Sequence, residues 1–170
     1  VDLAVNGTGG PWDSYEPVVS ANGAHVAFTT WSDSTQVTPL ITNSNAYNVV
    51  IRNMATGAYT LVNTAANGQL ADNETYSHVV DISADGNTVL FTSDASSLVA
   101  DDTDGITNLF AKTLDTGAIR RVSLPGETLD GGFYGARMQL SPDGRYVEYN
   151  SDSVGMISVD LLTGNRQVMR

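Results

Sequence analysis

The chain has 170 residues, 41% of them hydrophobic, and its 19 acidic and eight basic residues give a formal net charge of −11. This composition is that of a folded globular domain, and the acidic balance argues against binding to nucleic acid or to an anionic membrane surface. No apolar run approaches the roughly 20 residues that span a bilayer, and the absence of cysteine excludes disulfides and thiolate metal sites.

One phrase occurs three times along the chain, as Ser20–Gly23 (SANG), Ser83–Gly86 (SADG) and Ser141–Gly144 (SPDG), and each copy runs into a short, mainly apolar segment. A second marker that ends in Thr-Gly follows each copy. These markers are Ala55–Gly57, Asp115–Gly117 and Leu162–Gly164. Two turn signals that recur in the same order indicate one duplicated supersecondary unit.

Each unit is predicted to consist of four short antiparallel strands. In the first unit these are Glu16–Val19, Ala24–Thr30, Tyr47–Asn53 and Ala58–Val62. Asn-Gly and Asp-Gly pairs suit tight hairpins because both residues tolerate positive φ. The other strands are predicted at 79–82, 87–92, 108–113 and 118–122, and then at 137–140, 145–150, 156–161 and 166–168. No window holds the apolar period of a helix longer than a turn.

This arrangement predicts an all-β fold of three β-propeller blades, each a four-stranded antiparallel meander. We place the blades at residues 14–63, 77–124 and 135–170, in a single propeller segment, with residues 1–5 as an extra outer strand. Closed propellers have about four to eight blades. The chain is therefore expected to be either part of a longer propeller or a subunit that completes its ring by assembly.

One position bears on the choice between these alternatives. Glu148 stands in the third unit where Ala27 and Leu90 stand in the others. Terminal repeats commonly become polar on the face that has no neighbour. The substitution favours an incomplete ring that other chains close.

The second unit carries Ser83–Gly86 before Val89 and Phe91, then Asp94–Val99, and later Asn108–Phe110 with its Thr-Gly marker. These motifs resemble the TolB-like (PD40, WD40-like) propeller repeat. The resemblance extends over nearly the whole chain and is weakest in the third unit, which lacks the middle loop. It implies a β-propeller in a bacterial envelope or secreted setting, but it does not fix a function.

The strongest local signal is an acidic loop at residues 100–108, which partly follows the calcium-loop pattern D-x-D-x-D-G-x-x-D. Ala100 occupies the first ligand position, and Asp94 or Asp101 could supply the missing oxygen. The predicted calcium ligands are Asp101, Asp102, Asp104 and Asn108. The alternative is a solvated turn, because Asp accepts turn geometry.

The sequence shows no recognisable catalytic constellation, and we predict no catalytic residue. His25 and His78 stand at positions that Thr, Tyr or Ala fill in the other units, which indicates packing positions. No Gly-x-Ser-x-Gly elbow presents a nucleophile, and the four Glu occupy unrelated places in their units. Hydrolases with TolB-like propellers keep their catalytic residues in a separate α/β domain.

Aromatic residues near the loops are the remaining binding candidates. Trp12 and Trp31 have no counterparts in the other units, whereas Tyr15, Tyr76 and Tyr134 precede first strands and are expected to fill gaps between blades. We expect a non-catalytic extracellular or periplasmic module that binds a protein partner or a second copy through exposed strand edges. The alternatives are a propeller subdomain of a larger hydrolase or lyase, and a carbohydrate-binding module that uses Trp12 and Trp31.

Overall fold

The computed structural model describes residues 14–31, 41, 45–130 and 138–169. This part of the chain forms twelve β-strands and contains no helix that could cross a membrane. The strands are β1 (Ser14–Val19), β2 (His25–Trp31), β3 (Tyr47–Asn53), β4 (Tyr59–Leu61), β5 (Ser77–Ile82), β6 (Thr88–Ser93), β7 (Asn108–Thr113), β8 (Ile119–Arg121), β9 (Met138–Leu140), β10 (Tyr146–Ser151), β11 (Gly155–Asp160) and β12 (Arg166–Val168).

The strands form three four-stranded sheets, β1–β4, β5–β8 and β9–β12, in which strands adjacent in sequence pair side by side. All the pairings are antiparallel. The three sheets are blades 1, 2 and 3, and they confirm the predicted propeller meanders. The predicted outer strand at residues 1–5 lies outside the described residues.

The repeated phrase closes the first hairpin of every blade. In each copy the serine hydroxyl accepts a hydrogen bond from the backbone N–H five residues later, in the residue that begins the next strand. These bonds run from His25 to Ser20, from Thr88 to Ser83 and from Tyr146 to Ser141, at 3.0, 2.9 and 2.8 Å. The shared serine thus supplies an acceptor that the tight turn needs.

Alternate side chains of the second strand of a blade contact different neighbours. Val89 and Phe91 lie in a buried cluster with Ile51 of blade 1. Leu90, between them, lies in a second buried cluster with Val147 of blade 3. Because successive side chains of a strand point to opposite faces, the three blades pack face to face.

Lysine and arginine side chains also link blades 2 and 3 to the chain segment that follows the preceding blade. The Lys112 Nζ of blade 2 donates to the backbone oxygens of Thr64 and Ala65 at 2.8 and 3.2 Å. In blade 3, a guanidinium N–H of Arg166 donates to the Val122 carbonyl at 2.5 Å. Burial lowers the pKa of Lys112, and its carbonyl partners offset part of the desolvation cost of the ammonium group.

The far face of blade 3 has a different composition. Glu148 alternates with the buried Val147 and Tyr149 and accepts a hydrogen bond from Gln139 Nε2 at 2.7 Å. Because the blades pack face to face, a further blade would meet this sheet face. A further blade would therefore contact a face of this sheet, and pairing through exposed strand edges stays a prediction.

Candidate functional site

Strands β2 and β6 end where β3 and β7 begin, since neighbouring strands are antiparallel. This end of blades 1 and 2, here called the loop face, is where β2 ends and β3 begins, and it carries the β6–β7 loop and the connection from β4 to β5. The tight turns of the repeated phrase lie at the opposite end of the sheets. The loop face is where irregular segments of both blades meet, and such segments commonly carry binding residues.

An aromatic cluster lies on the loop face around Tyr47. The ring of Trp31 is 4.6 Å from it in an edge-to-face contact, and the Tyr15 ring is 6.2 Å away. From blade 2, the rings of Tyr76 and His78 lie at 5.7 and 5.1 Å. We call these five residues the aromatic cluster.

Backbone pairing brings the cluster together. Trp31 is opposite Tyr47 in the β2–β3 register. A single parallel bridge joins Tyr47 to Tyr76, and the Tyr47 N–H donates to the Thr75 carbonyl at 3.0 Å. The Tyr76 N–H donates to Asp94 Oδ1 at 2.7 Å. The ring positions therefore follow from the strand framework of two blades.

Glu16 lies beneath the cluster at an irregularity of β1, where the register with β2 shifts. Its Oε2 accepts hydrogen bonds from Thr29 Oγ1 at 2.8 Å and from His78 Nδ1 at 3.1 Å. The Thr29 hydroxyl also accepts the Val79 N–H of blade 2 at 3.0 Å. This polar layer holds the His78 ring against Tyr47.

Backbone strain concentrates around the same cluster. Within the described ranges, the non-glycine residues with left-handed backbone are Glu16, Asn45 and Glu74, with φ of 54°, 53° and 59°. Each lies within two residues of a cluster tyrosine. Such backbone costs about 1–3 kcal/mol per residue and is concentrated at binding and active sites.

The predicted aromatic residues have different outcomes. Trp31 lies in the cluster, whereas Trp12 and Tyr134 lie outside the described residues. Tyr15 and Tyr76 border the junction of blades 1 and 2, but they remain 43% and 39% exposed. These two tyrosines therefore do more than fill the gap between blades, since they present aromatic surface to solvent.

The acidic loop of blade 2 lies nearby and surrounds an arginine. The Arg121 side chain, only 4% exposed, lies 3.3 Å from Asp102, 3.4 Å from Asp104 and 3.5 Å from Asp101. The Asn108 Nδ2 donates to Asp102 Oδ1 at 3.1 Å and to Asp104 Oδ1 at 3.0 Å. All four predicted calcium ligands therefore belong to a single network.

The two inner carboxylates have opposite pKa shifts. Burial, with the nearby charge of Asp104, raises the pKa of Asp102 to about 6 against the attraction of Arg121. Burial acts in the same direction on Asp104, but hydrogen bonds from the Gly126 N–H and from Asn108 lower its pKa overall. The carboxylate with more hydrogen-bond donors is the more acidic of the two.

This network bears on the calcium prediction. Within the described part of the chain, no group of three or more His, Cys, Asp or Glu side chains is arranged to hold a metal ion. Asp94 is not directed into the loop, because it accepts the Tyr76 N–H. Arg121 supplies the positive charge between the carboxylates, and calcium binding stays a prediction.

Comparison with solved structures places this geometry in a wider fold. A candidate TolB from Agrobacterium tumefaciens matches with a TM-score of 0.54 and 17% identity, over 91% of this chain and 48% of that one. The β-propeller domain of the Trilobed protease from Pyrococcus furiosus matches with a TM-score of 0.53 and 13% identity, over 92% of this chain and 41% of that one. The acylaminoacyl peptidase of Pyrococcus horikoshii matches with a TM-score of 0.52 and 13% identity, over 91% of this chain and 24% of that one.

The chain has the fold of a β-propeller segment. It spans less than half the length of each of these three proteins. The resemblance to the TolB-like repeat is thereby confirmed as a resemblance of fold. No protein-family model and no curated protein matches the chain.

Sequence reasoning missed two participants in this part of the propeller. Arg121 lies 13 residues beyond Asn108 and on a different strand, so spacing within the acidic loop gives no indication of it. The other units have no glutamate in the place of Glu16, so the repeat gives no indication of its role. The register of β1 with β2 also shifts between Tyr15 and Val18, the stretch that contains Glu16.

Proposed function

We propose that this propeller segment is a non-catalytic module that binds a protein partner through the aromatic cluster. The observation that carries the proposal is the assembly of Trp31, Tyr47 and Tyr76 from two blades on a strand framework, with Tyr15 and Tyr76 partly exposed. Tyrosine and tryptophan dominate the energetics of protein interfaces, because they bury large areas at low cost in side-chain entropy.

The proposal includes the absence of catalytic activity in this chain. The two histidines have structural surroundings that account for them. His78 is buried against Tyr47 and hydrogen-bonded to Glu16, and His25 packs against the glycine of a neighbouring turn. We also propose an extracellular or periplasmic location, which the TolB-like repeat and the scarcity of lysine support.

Selection from a random peptide library displayed on phage tests the proposal. We expect the immobilised chain to select peptides that bind Tyr76→Ala at least about tenfold more weakly, the loss expected at an interface hot spot. Tyr146→Ala is the matched control, because Tyr146 is 40% exposed on blade 3 and lies outside the aromatic cluster. Failure to select any peptide, or equal losses in both variants, would contradict the proposal.

A glycan array probed in parallel tests the carbohydrate alternative. Glycan binding that Trp31→Ala abolishes, in a chain that selects no peptide, would replace the protein partner with a sugar.

A second candidate function is that of a propeller subdomain within a larger peptidase. It is favoured by the matches to the Trilobed protease propeller and to acylaminoacyl peptidase. A catalytic domain encoded in the same chain or in a neighbouring reading frame would support it.

A further inference from the structure

The loop face of blades 1 and 2 has a one-sided charge. The described segments that reach it, residues 14–19, 25–31, 45–51, 62–76 and 94–108, contain seven carboxylates and no lysine or arginine. The carboxylates are Glu16, Asp72, Glu74, Asp94, Asp101, Asp102 and Asp104. Arg121 offsets part of the charge of the last three, so the other four set the charge around the aromatic cluster.

These four carboxylates lie at different depths. Glu16 is hydrogen-bonded beneath the cluster to His78, and Asp94 holds the Tyr76 N–H. Asp72 and Glu74 are exposed on the connection that leads into Tyr76. The two exposed carboxylates are therefore the ones placed to attract a charged ligand to the tyrosine.

Aromatic rings bordered by carboxylates form a characteristic environment for a cation. The electron-rich ring face attracts the cation, and the carboxylates add a coulombic attraction that low salt strengthens. An arginine guanidinium fits best, since it is planar, stacks on rings and binds carboxylates through several N–H groups.

We infer that the aromatic cluster, with Asp72 and Glu74 at its border, binds an arginine side chain of the partner protein. This inference rests on the proposed function and specifies its ligand. Lysine would bind more weakly at the same place, and an acidic segment would be repelled.

The experiment uses the peptides selected by the full chain. We expect arginine to be enriched in them, and a change of that arginine to glutamine to weaken binding by about tenfold, the combined loss of a cation–π contact and an exposed ion pair. Raising the salt concentration should weaken the binding of the arginine peptides and leave the binding of the glutamine peptides nearly unchanged.

Matched protein variants locate the charge. Glu74→Gln and Asp72→Asn should each weaken the binding of the arginine peptides by about two- to fivefold, the effect of removing one exposed ion pair. Asp115 is also an exposed carboxylate but lies on the opposite end of blade 2, so Asp115→Asn should have no effect.

The outcomes separate this inference from the proposed function. Peptides that depend on Tyr76 but lack arginine, or that respond equally to Glu74→Gln and Asp115→Asn, would overturn the inference and leave the binding module intact. A chain that selects no peptide contradicts the proposed function itself.

Discussion

The imidazole of His25 occupies the space into which a side chain on Gly86 would project. A Cβ at Gly86 would overlap His25 Nδ1, much closer than non-bonded atoms approach. The contact recurs one blade further on, where a Cβ at Gly144 would lie 2.8 Å from Thr88 Oγ1. The glycine of the repeated phrase therefore serves the junction between blades as well as the hairpin.

This relationship predicts that Gly86→Ala destabilises the chain more than Gly23→Ala. Both glycines have positive φ, at 81° and 68°, but a Cβ at Gly23 would meet no atom within 4 Å. Backbone strain at either position costs about 1 kcal/mol, and overpacking against His25 adds about 2 kcal/mol to the free-energy loss at Gly86. Urea denaturation followed by intrinsic fluorescence measures the difference.

The double variant Gly86→Ala with His25→Ala is the control. Removal of the ring should return the cost of Gly86→Ala to that of Gly23→Ala, since contacting residues are energetically coupled. Equal losses for Gly86→Ala and Gly23→Ala in the wild-type background would show that the ring moves away freely.

The fold was predictable because its signals are local. Ser83–Gly86 specifies a hairpin through hydrogen bonds within six residues, and the uninterrupted apolar run Val89–Phe91 indicates a strand with two buried faces. The aromatic cluster was predictable only in part. Tyr47 looks like any residue that starts a strand, and its contact with His78 depends on how two blades stack.

The raised pKa of Asp102 predicts an unusual pH dependence. Burial lifts this pKa from an ordinary 3.8 to about 6, so the folded chain holds the proton more tightly than the unfolded chain. The stabilisation that this proton gives the folded chain is complete below the pKa of Asp102 in the unfolded chain. It is lost as pH rises through the pKa of Asp102 in the folded chain. The free energy of unfolding should therefore increase by about 1 kcal/mol as pH falls from about 7 to about 5.

Asp102→Asn is the variant that checks this assignment, because it removes the titrating group. Urea midpoints measured for this variant should be nearly flat over the same pH range. At still lower pH both proteins should lose stability, since carboxylates such as Asp85, whose pKa the Ser83 hydroxyl lowers, become protonated. A wild-type midpoint that falls between neutral and mildly acidic pH would contradict the prediction.

Arg121 and calcium are competing cations for the acidic loop. Arg121→Gln leaves buried carboxylates without their positive partner, and we expect it to cost about 3 kcal/mol. Millimolar calcium should restore part of the melting temperature of this variant, since Asp102 and Asp104 offer the oxygen ligands that calcium prefers. The wild-type protein should respond much less.

Thermal unfolding in chelator and in calcium provides the measurement. Adding Asp102→Ala and Asp104→Ala to Arg121→Gln should abolish the response to calcium. If calcium instead stabilises the wild-type protein as much as Arg121→Gln, the calcium site predicted from the sequence is present and Arg121 does not compete for it.

The far face of blade 3 predicts the association state. At the blade 2–blade 3 junction, Leu90 is fully buried and the Ala84 N–H donates to the Pro142 carbonyl at 2.8 Å. In blade 3, Glu148 replaces that leucine, and Pro142, in the place of Ala84, has no N–H to donate. The far face of blade 3 therefore lacks the apolar contact and the backbone donor that blade 2 offers to blade 3. We expect this face not to accept another blade in the same way.

Glu148→Leu should therefore create a contact that the wild-type chain lacks. Met156 is partly exposed on the same sheet face, and the new leucine would extend it into an apolar patch that favours self-association. Sedimentation velocity over a range of concentrations should show concentration-dependent association of the variant, with Asp115→Leu, on the tight-turn end of blade 2, as the control. A wild-type oligomer that Glu148→Arg dissociates would show instead that this polar face is already an interface, as expected for a ring closed by assembly.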